Sequence, residues 1–414
     1  MASAWLRAYS GVALFAANLL VVLLLVNVVL YVVLPHAPAA GGAARHVEPG
    51  TAAYDEAVRS MVRQPSVRDK APFFPRLTPE DLAALALETW VLRGYRYEPW
   101  TQFREGPYRG RFVNVDERGV RSGPAGAPWP PDGRVVNVFV FGGSTIFGYG
   151  LPDDQTVPHH LERYLARRTA GHTVRVYNFA AGYFFSTQER ILFERLVGSG
   201  ARPALAVFID GLNDFYNASG EPEFTPRLEA LWSGLERSPD RGLADVVREL
   251  PMARAAGLLR DRLRPARDGG TAPVRRLPPA PPPPEPADVV VERVIVRFQE
   301  NRRMIEAVAA AYGIPIVIAW QPVPTYGYDL RHHAFAPRDF GPHERSRLGY
   351  PKVAALYRSG AFGPHVVWCA DIQERLHEAL YIDSVHYTPR MARRVARCVT
   401  KAVTHRHLLT RPGA

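Results

Sequence analysis

Lysine is nearly absent from this chain. Of 51 basic residues, only Lys70, Lys352 and Lys401 are lysine; the rest are arginine. A nucleotide-binding P-loop needs a Gly-rich turn followed by lysine and a hydroxyl, and no such run occurs, nor does a G-x-G-x-x-G turn. Cysteine is as scarce, with residues at 369 and 398 only. Their spacing to the 13 histidines gives no zinc pattern. Neither cysteine sits in a Gly-rich turn, which argues against a thiol nucleophile. No metal or cofactor is therefore expected. The formal charge is +11, but it is spread along the chain apart from a cluster at 254–276, and no nucleic-acid motif accompanies it. Two readings of the arginines stand: a solvated surface, or attraction to anionic lipid or acidic glycan.

Charge is missing altogether from residues 12–34, VALFAANLLVVLLLVNVVLYVVL. That run exceeds the ~20 residues needed to cross a bilayer and is longer than a signal-peptide core. A transmembrane anchor is expected, with HAPAAGG after it leaving a cleavable signal as the alternative. Arg7 lies close on the N-terminal side and Arg45 farther away on the other. The positive-inside rule then puts residues 1–11 in the cytoplasm and the rest beyond the cytoplasmic membrane. In that compartment Cys369 and Cys398 could be joined; two buried free thiols are the other reading.

The remaining chain divides by pattern. Residues 35–130 read as a linker and an accessory segment, with Thr78 capping a helix to about residue 92. This segment could brace one edge of the core or line its site. From 131 to 414, short apolar runs alternate with helical patterns. The runs are VVNVFVF, TVRVYN, ALAVFID, IPIVIAW and HVVWC. Expected helices start at Thr156–Pro158, at a Ser186-x-x-Glu189 capping box, over about 288–312, and at Thr388–Pro389. This alternation predicts an α/β domain built on a doubly wound parallel sheet. An insertion at 217–287 breaks it and contains RRLPPAPPPPEP, an extended run open to a Pro-binding partner. The insertion reads as a lid or acceptor-binding cap, or as a surface elaboration. The stretch 326–350 reads as a second long loop, with His332, His333 and His343 as polar loop residues or, alternatively, as ligands.

Three short stretches carry chemistry. FGGSTIFGYG holds Ser144 after the first apolar run. FIDGLNDFY holds Asn213 and Asp214 after the third. YIDSVHYTP holds Asp383 and His386. A hydroxyl, an amide donor and a carboxylate–imidazole pair are the parts of a serine acyl-transfer site. Asp383 would fix the His386 tautomer and leave Nε2 facing Ser144. In a doubly wound sheet, residues just past the strand ends share one edge. Asp214 is expected to bond backbone in its turn. The G-x-S-x-G elbow of α/β-hydrolases is absent, because Ile146 stands two residues after Ser144.

Taken together, these blocks resemble the SGNH/GDSL hydrolase family over roughly residues 135–399, and the chain resembles a membrane-anchored bacterial member. The resemblance implies a flavodoxin-like, five-stranded parallel sheet. Ser144 in GGST matches the nucleophile block and Gly182 in NFAAGYFF the second. Asn213 in GLND matches the third, and Asp383 with His386 in DSVH the last. It further implies that the N–H groups of Ser144 and Gly182, with the Asn213 amide, form the oxyanion hole. Gly143 stands where the family name implies Asp. The function expected is a serine esterase or O-acyltransferase acting on acylated, foremost O-acetylated, carbohydrate of the cell envelope or an exopolysaccharide. The alternatives are a lipid esterase or thioesterase, and a polysaccharide-assembly module that keeps the fold without the chemistry.

Overall fold

The computed structural model describes residues 48–123, 126–169, 172–236 and 285–409, with 14–15, 18–19, 21–22 and 25–26 before them. The expected transmembrane run and the linker to residue 47 fall largely outside these residues, as does most of the insertion. Among the described residues no helix is long and apolar enough to cross a membrane. The chain separates into two units, one made of 1–45 with 227–283 and the other of 46–226 with 284–414. The second unit holds the sheet and all the expected site residues.

Its accessory segment contains α1 (Ala52–Val62), α2 (Pro79–Leu87), and the strands β1 (Tyr95–Glu98), β2 (Gln102–Glu105), β3 (Tyr108–Arg109) and β4 (Asn114–Val115). The core follows as β5 (Val136–Gly142), α3 (Val157–Ala166), β6 (Val174–Asn178), α4 (Ser186–Gly198) and β7 (Leu205–Asp210). It continues with α5 (Ala287–Ala311), β8 (Ile316–Trp320), α6 (Arg345–Arg358), β9 (Val366–Trp368) and α7 (Pro389–His405). β5 to β9 make one five-stranded sheet in the order β6-β5-β7-β8-β9, parallel throughout.

Strand periodicity explains the two-sided burial. Along β5, Val136, Val138 and Val140 enter one apolar cluster and Phe139 and Phe141 the other. Along β7, Leu205, Val207 and Ile209 face the first cluster and Ala206 and Phe208 the second. Side chains alternate across a strand, so runs that are apolar on both faces, as β5 and β7 are apart from the buried Asn137 and Asp210, need cover on both sides. Helices α3 and α7 cover the first face, with the accessory helices beside them. α4, α5 and α6 cover the second.

Helix starts agree with the sequence reading at Thr78, Thr156 and Thr388, whose hydroxyls accept from Asp81, His159 and Met391 N–H groups. Two expectations fail. Ser186 is not a cap; it is the first residue of α4, and its hydroxyl is used elsewhere. The stretch 326–350 is not all loop, because α6 begins at Arg345. The accessory segment both braces the sheet edge and lines the site. Arg121 N–H bonds Asn178 O at the end of β6, and the Arg121 guanidinium pairs with Asp153 and caps the carbonyls of Gly148 and Leu151.

Cys369 and Cys398 form a disulfide, with their Cα atoms 6.1 Å apart. It ties the residue just after β9 to the middle of α7. At a sequence separation of 29, the chain-entropy model gives a stabilisation of roughly 3–4 kcal/mol. Cys398→Ser is expected to lower the denaturation midpoint accordingly, and unreduced, unfolded protein should show no free thiol. Two readily titrated thiols there would contradict the pairing.

Candidate active site

The carboxyl ends of β5 and β7 and the loop after β9 bring the expected residues together. Ser144 opens a single helical turn, Ser144–Phe147, directly after β5 and Gly143. Asn213 lies in the turn Leu212–Tyr216 after β7. Asp383 and His386 sit on a tight loop before α7, closed by Ile382 N–H on His386 O at 2.9 Å.

Ser144 Oγ lies 2.9 Å from His386 Nε2. His386 Nδ1 lies 2.9 Å from both carboxylate oxygens of Asp383. A carboxylate only accepts, so Nδ1 carries the proton and Nε2 is left to accept from the Ser144 hydroxyl. Asp383 Oδ1 also accepts the N–H groups of Val385 at 3.0 Å and His386 at 2.8 Å, an Asx-type turn that fixes the carboxylate. Burial works against ionising Asp383. Attraction to His386 and these hydrogen bonds outweigh it and hold the carboxyl well below the usual carboxylate range. The His386 ring packs against two aromatics that also touch each other. Tyr149 stacks on it at 5.5 Å, and Trp90 packs edgewise at 5.3 Å.

Asn213 Nδ2 donates to Phe184 O at 2.8 Å. An amide nitrogen has two hydrogens, so one remains uncommitted among the described residues. The same amide bears on Gly143: a Cβ there would stand 2.2 Å from Asn213 Nδ2, so a side chain at this position would displace the Asn213 amide from where it stands.

Gly182 departs from its expected role. Its N–H donates to Glu105 Oε1 at 2.8 Å and is spent on that carboxylate. Glu105 is fully buried, ion-paired with Arg93, and also accepts from Tyr149 OH at 3.0 Å. Tyr149 OH in turn lies 2.5 Å from Tyr95 OH, and the Arg93 guanidinium sits 4.6 Å from the Tyr149 ring centroid. A Cβ on residue 182 would meet Tyr95 OH at 2.1 Å and Tyr149 OH at 2.4 Å, so glycine is required here for close approach rather than for its N–H.

Sequence reasoning missed Trp90, Arg93, Tyr95, Glu105 and Tyr149. Four of them come from the accessory segment, where the only available signal was an acid and an arginine flanking aromatic residues. Lys70, from the same segment, is brought into the field of Asp383, and burial lowers its pKa. Behind the site, Asp214 accepts from Ser186 Oγ at 2.6 Å rather than serving only its own turn. Ser186 also accepts from Asn301 Nδ2 at 2.9 Å. Glu189, Asp210 and Asp214 are buried together, and burial followed by mutual repulsion pushes the Glu189 and Asp210 carboxyls up. Of the loop histidines, His333 Nε2 lies 3.3 Å from Ser384 O. His343 lies in the field of His386 and Asp383, and burial first, then repulsion from His386, brings its pKa down to about 4.

Asn213→Ala tests the amide directly. Loss of one oxyanion donor costs on the order of 10²–10³ in kcat, with KM little changed because the donor acts in the transition state. The neutral hydrogen bond to Phe184 O is worth only ~0.5–1.5 kcal/mol, so a small drop in melting temperature accompanies it. Full kcat with a large drop in melting temperature would make Asn213 a turn residue.

No family model matches the chain, and no curated protein matches it. Among solved structures it is similar to a putative lipolytic protein of the G-D-S-L family from Desulfitobacterium hafniense DCB-2, at 10% identity and a TM-score of 0.34, covering 64% of this chain and 99% of that one. It is similar to TesA at 17% identity and a TM-score of 0.33, covering 65% and 98%. It is also similar to a carbohydrate acetylesterase family member from Sinorhizobium meliloti at 13% identity and a TM-score of 0.33, covering 66% and 98%. Likenesses this distant assign no function; the geometry of the relay alone carries one.

Proposed function

We propose that this chain is a serine esterase or O-acyltransferase with Ser144 as nucleophile, His386 as general base and Asp383 as the group that orients it. The observation that carries this reading is the unbroken hydrogen-bonded relay of 2.9 Å steps from Ser144 through His386 to Asp383. His386 takes the Ser144 proton as Oγ attacks an ester carbonyl. The Asn213 amide and the Ser144 N–H, which opens its helical turn without an acceptor among the described residues, stabilise the oxyanion. His386 then returns the proton to the leaving alcohol, and water or another hydroxyl collects the acyl group.

The substrate class proposed is O-acylated, foremost O-acetylated, carbohydrate of the cell envelope or an exopolysaccharide. Trp90 supports it, being 44% exposed and in contact with His386; an apolar ring face at the mouth of a polar site suits a sugar ring. The disulfide supports an oxidising compartment. The uncharged run at 12–34 supports an anchor in the cytoplasmic membrane with the catalytic unit outside it. A panel of acetylated sugars against long-chain acyl esters and acyl thioesters tests the substrate: faster turnover of the long-chain esters would replace a sugar ester by a lipid ester. For topology, a phosphatase fused after residue 49 should be active and a cytoplasmic reporter at the same point silent; the reverse pattern would overturn the compartment.

A further inference from the structure

We infer that the backbone N–H of Tyr183, rather than that of Gly182, completes the set of oxyanion donors; the inference rests on the acyl-transfer reading of Ser144.

The turn at 182–183 lies against the site on two sides. Phe184 O is bonded to Asn213 Nδ2 and would be 3.0 Å from a Cβ on Gly143, the residue before Ser144. On the other side Gly182 touches Tyr149, whose ring stacks on His386. A backbone donor from this turn is therefore well placed to meet an oxygen held at Ser144. Gly182 is not that donor, because its N–H is given to Glu105. Glu105 is not standing in for the oxyanion either. Neither Asn213 Nδ2 nor Ser144 N–H bonds to it, and its remaining partners are Tyr149 and Arg93. The Gly182 N–H is thus committed to an acceptor that neither of those two donors contacts.

Tyr183 is the next peptide. Its N–H has no acceptor among the described residues. Its φ is +61°, in the left-handed region that a bulky residue seldom occupies. That conformation is imposed from outside: Asn217 Nδ2 holds Tyr183 O at 3.1 Å, and the ring packs against Tyr216 at 5.9 Å and Phe224 at 6.4 Å. Backbone held in a sparsely populated region with a free N–H beside a nucleophile is a form of preorganisation.

The experiment uses the whole chain and a fluorophosphonate. Ser144 Oγ attacks phosphorus, fluoride leaves, the hydroxyl proton passes to His386, and a phosphonyl oxygen is left where an oxyanion would sit. In [15N]tyrosine-labelled protein, with the resonance assigned through Tyr183→Phe, the Tyr183 amide is expected to move downfield on adduct formation more than any other tyrosine amide. In [15N]glycine-labelled protein the Gly182 amide should stay near its original position. A stationary Tyr183 amide on an adduct-bearing chain overturns the inference and leaves the serine mechanism standing. A chain that forms no adduct overturns both. As a second arm, the backbone ester made by placing the hydroxy-acid analogue of tyrosine at 183 removes the N–H and weakens only the Gly182 carbonyl, which accepts no hydrogen bond among the described residues. In protein that melts cooperatively, kcat should fall on the order of 10²–10³ with KM within a few-fold; unchanged kcat overturns the inference.

Discussion

Ser144→Ala is expected to lower kcat toward an activated acyl ester by on the order of 10⁶-fold while leaving the fold in place. The hydroxyl is partly exposed at the sheet edge and bonds only to His386, so its removal opens no cavity and strands no buried donor. The melting temperature should change little. His386→Ala should fall about as far, and the double variant no further, because the two groups act as a unit. Activity within ten-fold of the parent in folded Ser144→Ala protein would sink the serine mechanism.

Asp383→Asn should produce the second-largest loss, on the order of 10⁴ in kcat. The asparagine oxygen can still accept the N–H groups of Val385 and His386, so the loop should keep its shape. Its amide would turn a donor toward Nδ1 and favour the tautomer that protonates Nε2, which then cannot accept from Ser144. The pH behaviour separates this from simple misfolding. Asp383 is held below the ordinary carboxylate range in the folded protein. Its contribution to stability is therefore fully present above the unfolded carboxylate pKa, ~4, and is lost only as pH falls through the lower folded value. The parent should resist acid unfolding to lower pH than Asp383→Asn, and the two melting curves should converge at strongly acid pH. Equal activity of the two proteins at neutral pH would contradict the orienting role.

What was legible in the sequence was what depends on near neighbours or on period. The five predominantly apolar runs became the five parallel strands because a strand apolar on both sides has no solvent face. Ser144 and Asn213 were placed by the strand ends before them. Asp383 and His386 were placed by three-residue spacing, which an Asx-type turn converts directly into a side-chain contact. What was hidden depends on partners far along the chain. Glu105 reaches Gly182 across 77 residues, and nothing in NFAAGYFF says that its glycine N–H is already taken. Ser186-x-x-Glu189 has the form of a capping box, yet both side chains are buried, Ser186 donating to Asp214 and Glu189 lying in the field of Asp210 and Asp214, rather than serving the helix end. Trp90 lay within the expected helix, and only the assembled unit shows it against His386.

The measurement that bears most directly on the serine relay is the intact mass and peptide map of the folded chain after treatment with a fluorophosphonate. One adduct per chain on the peptide containing Ser144, absent from heat-unfolded protein and from Ser144→Ala, is the predicted result. A folded chain that takes up no label, or takes it up on another residue with Ser144 unmodified, would contradict it.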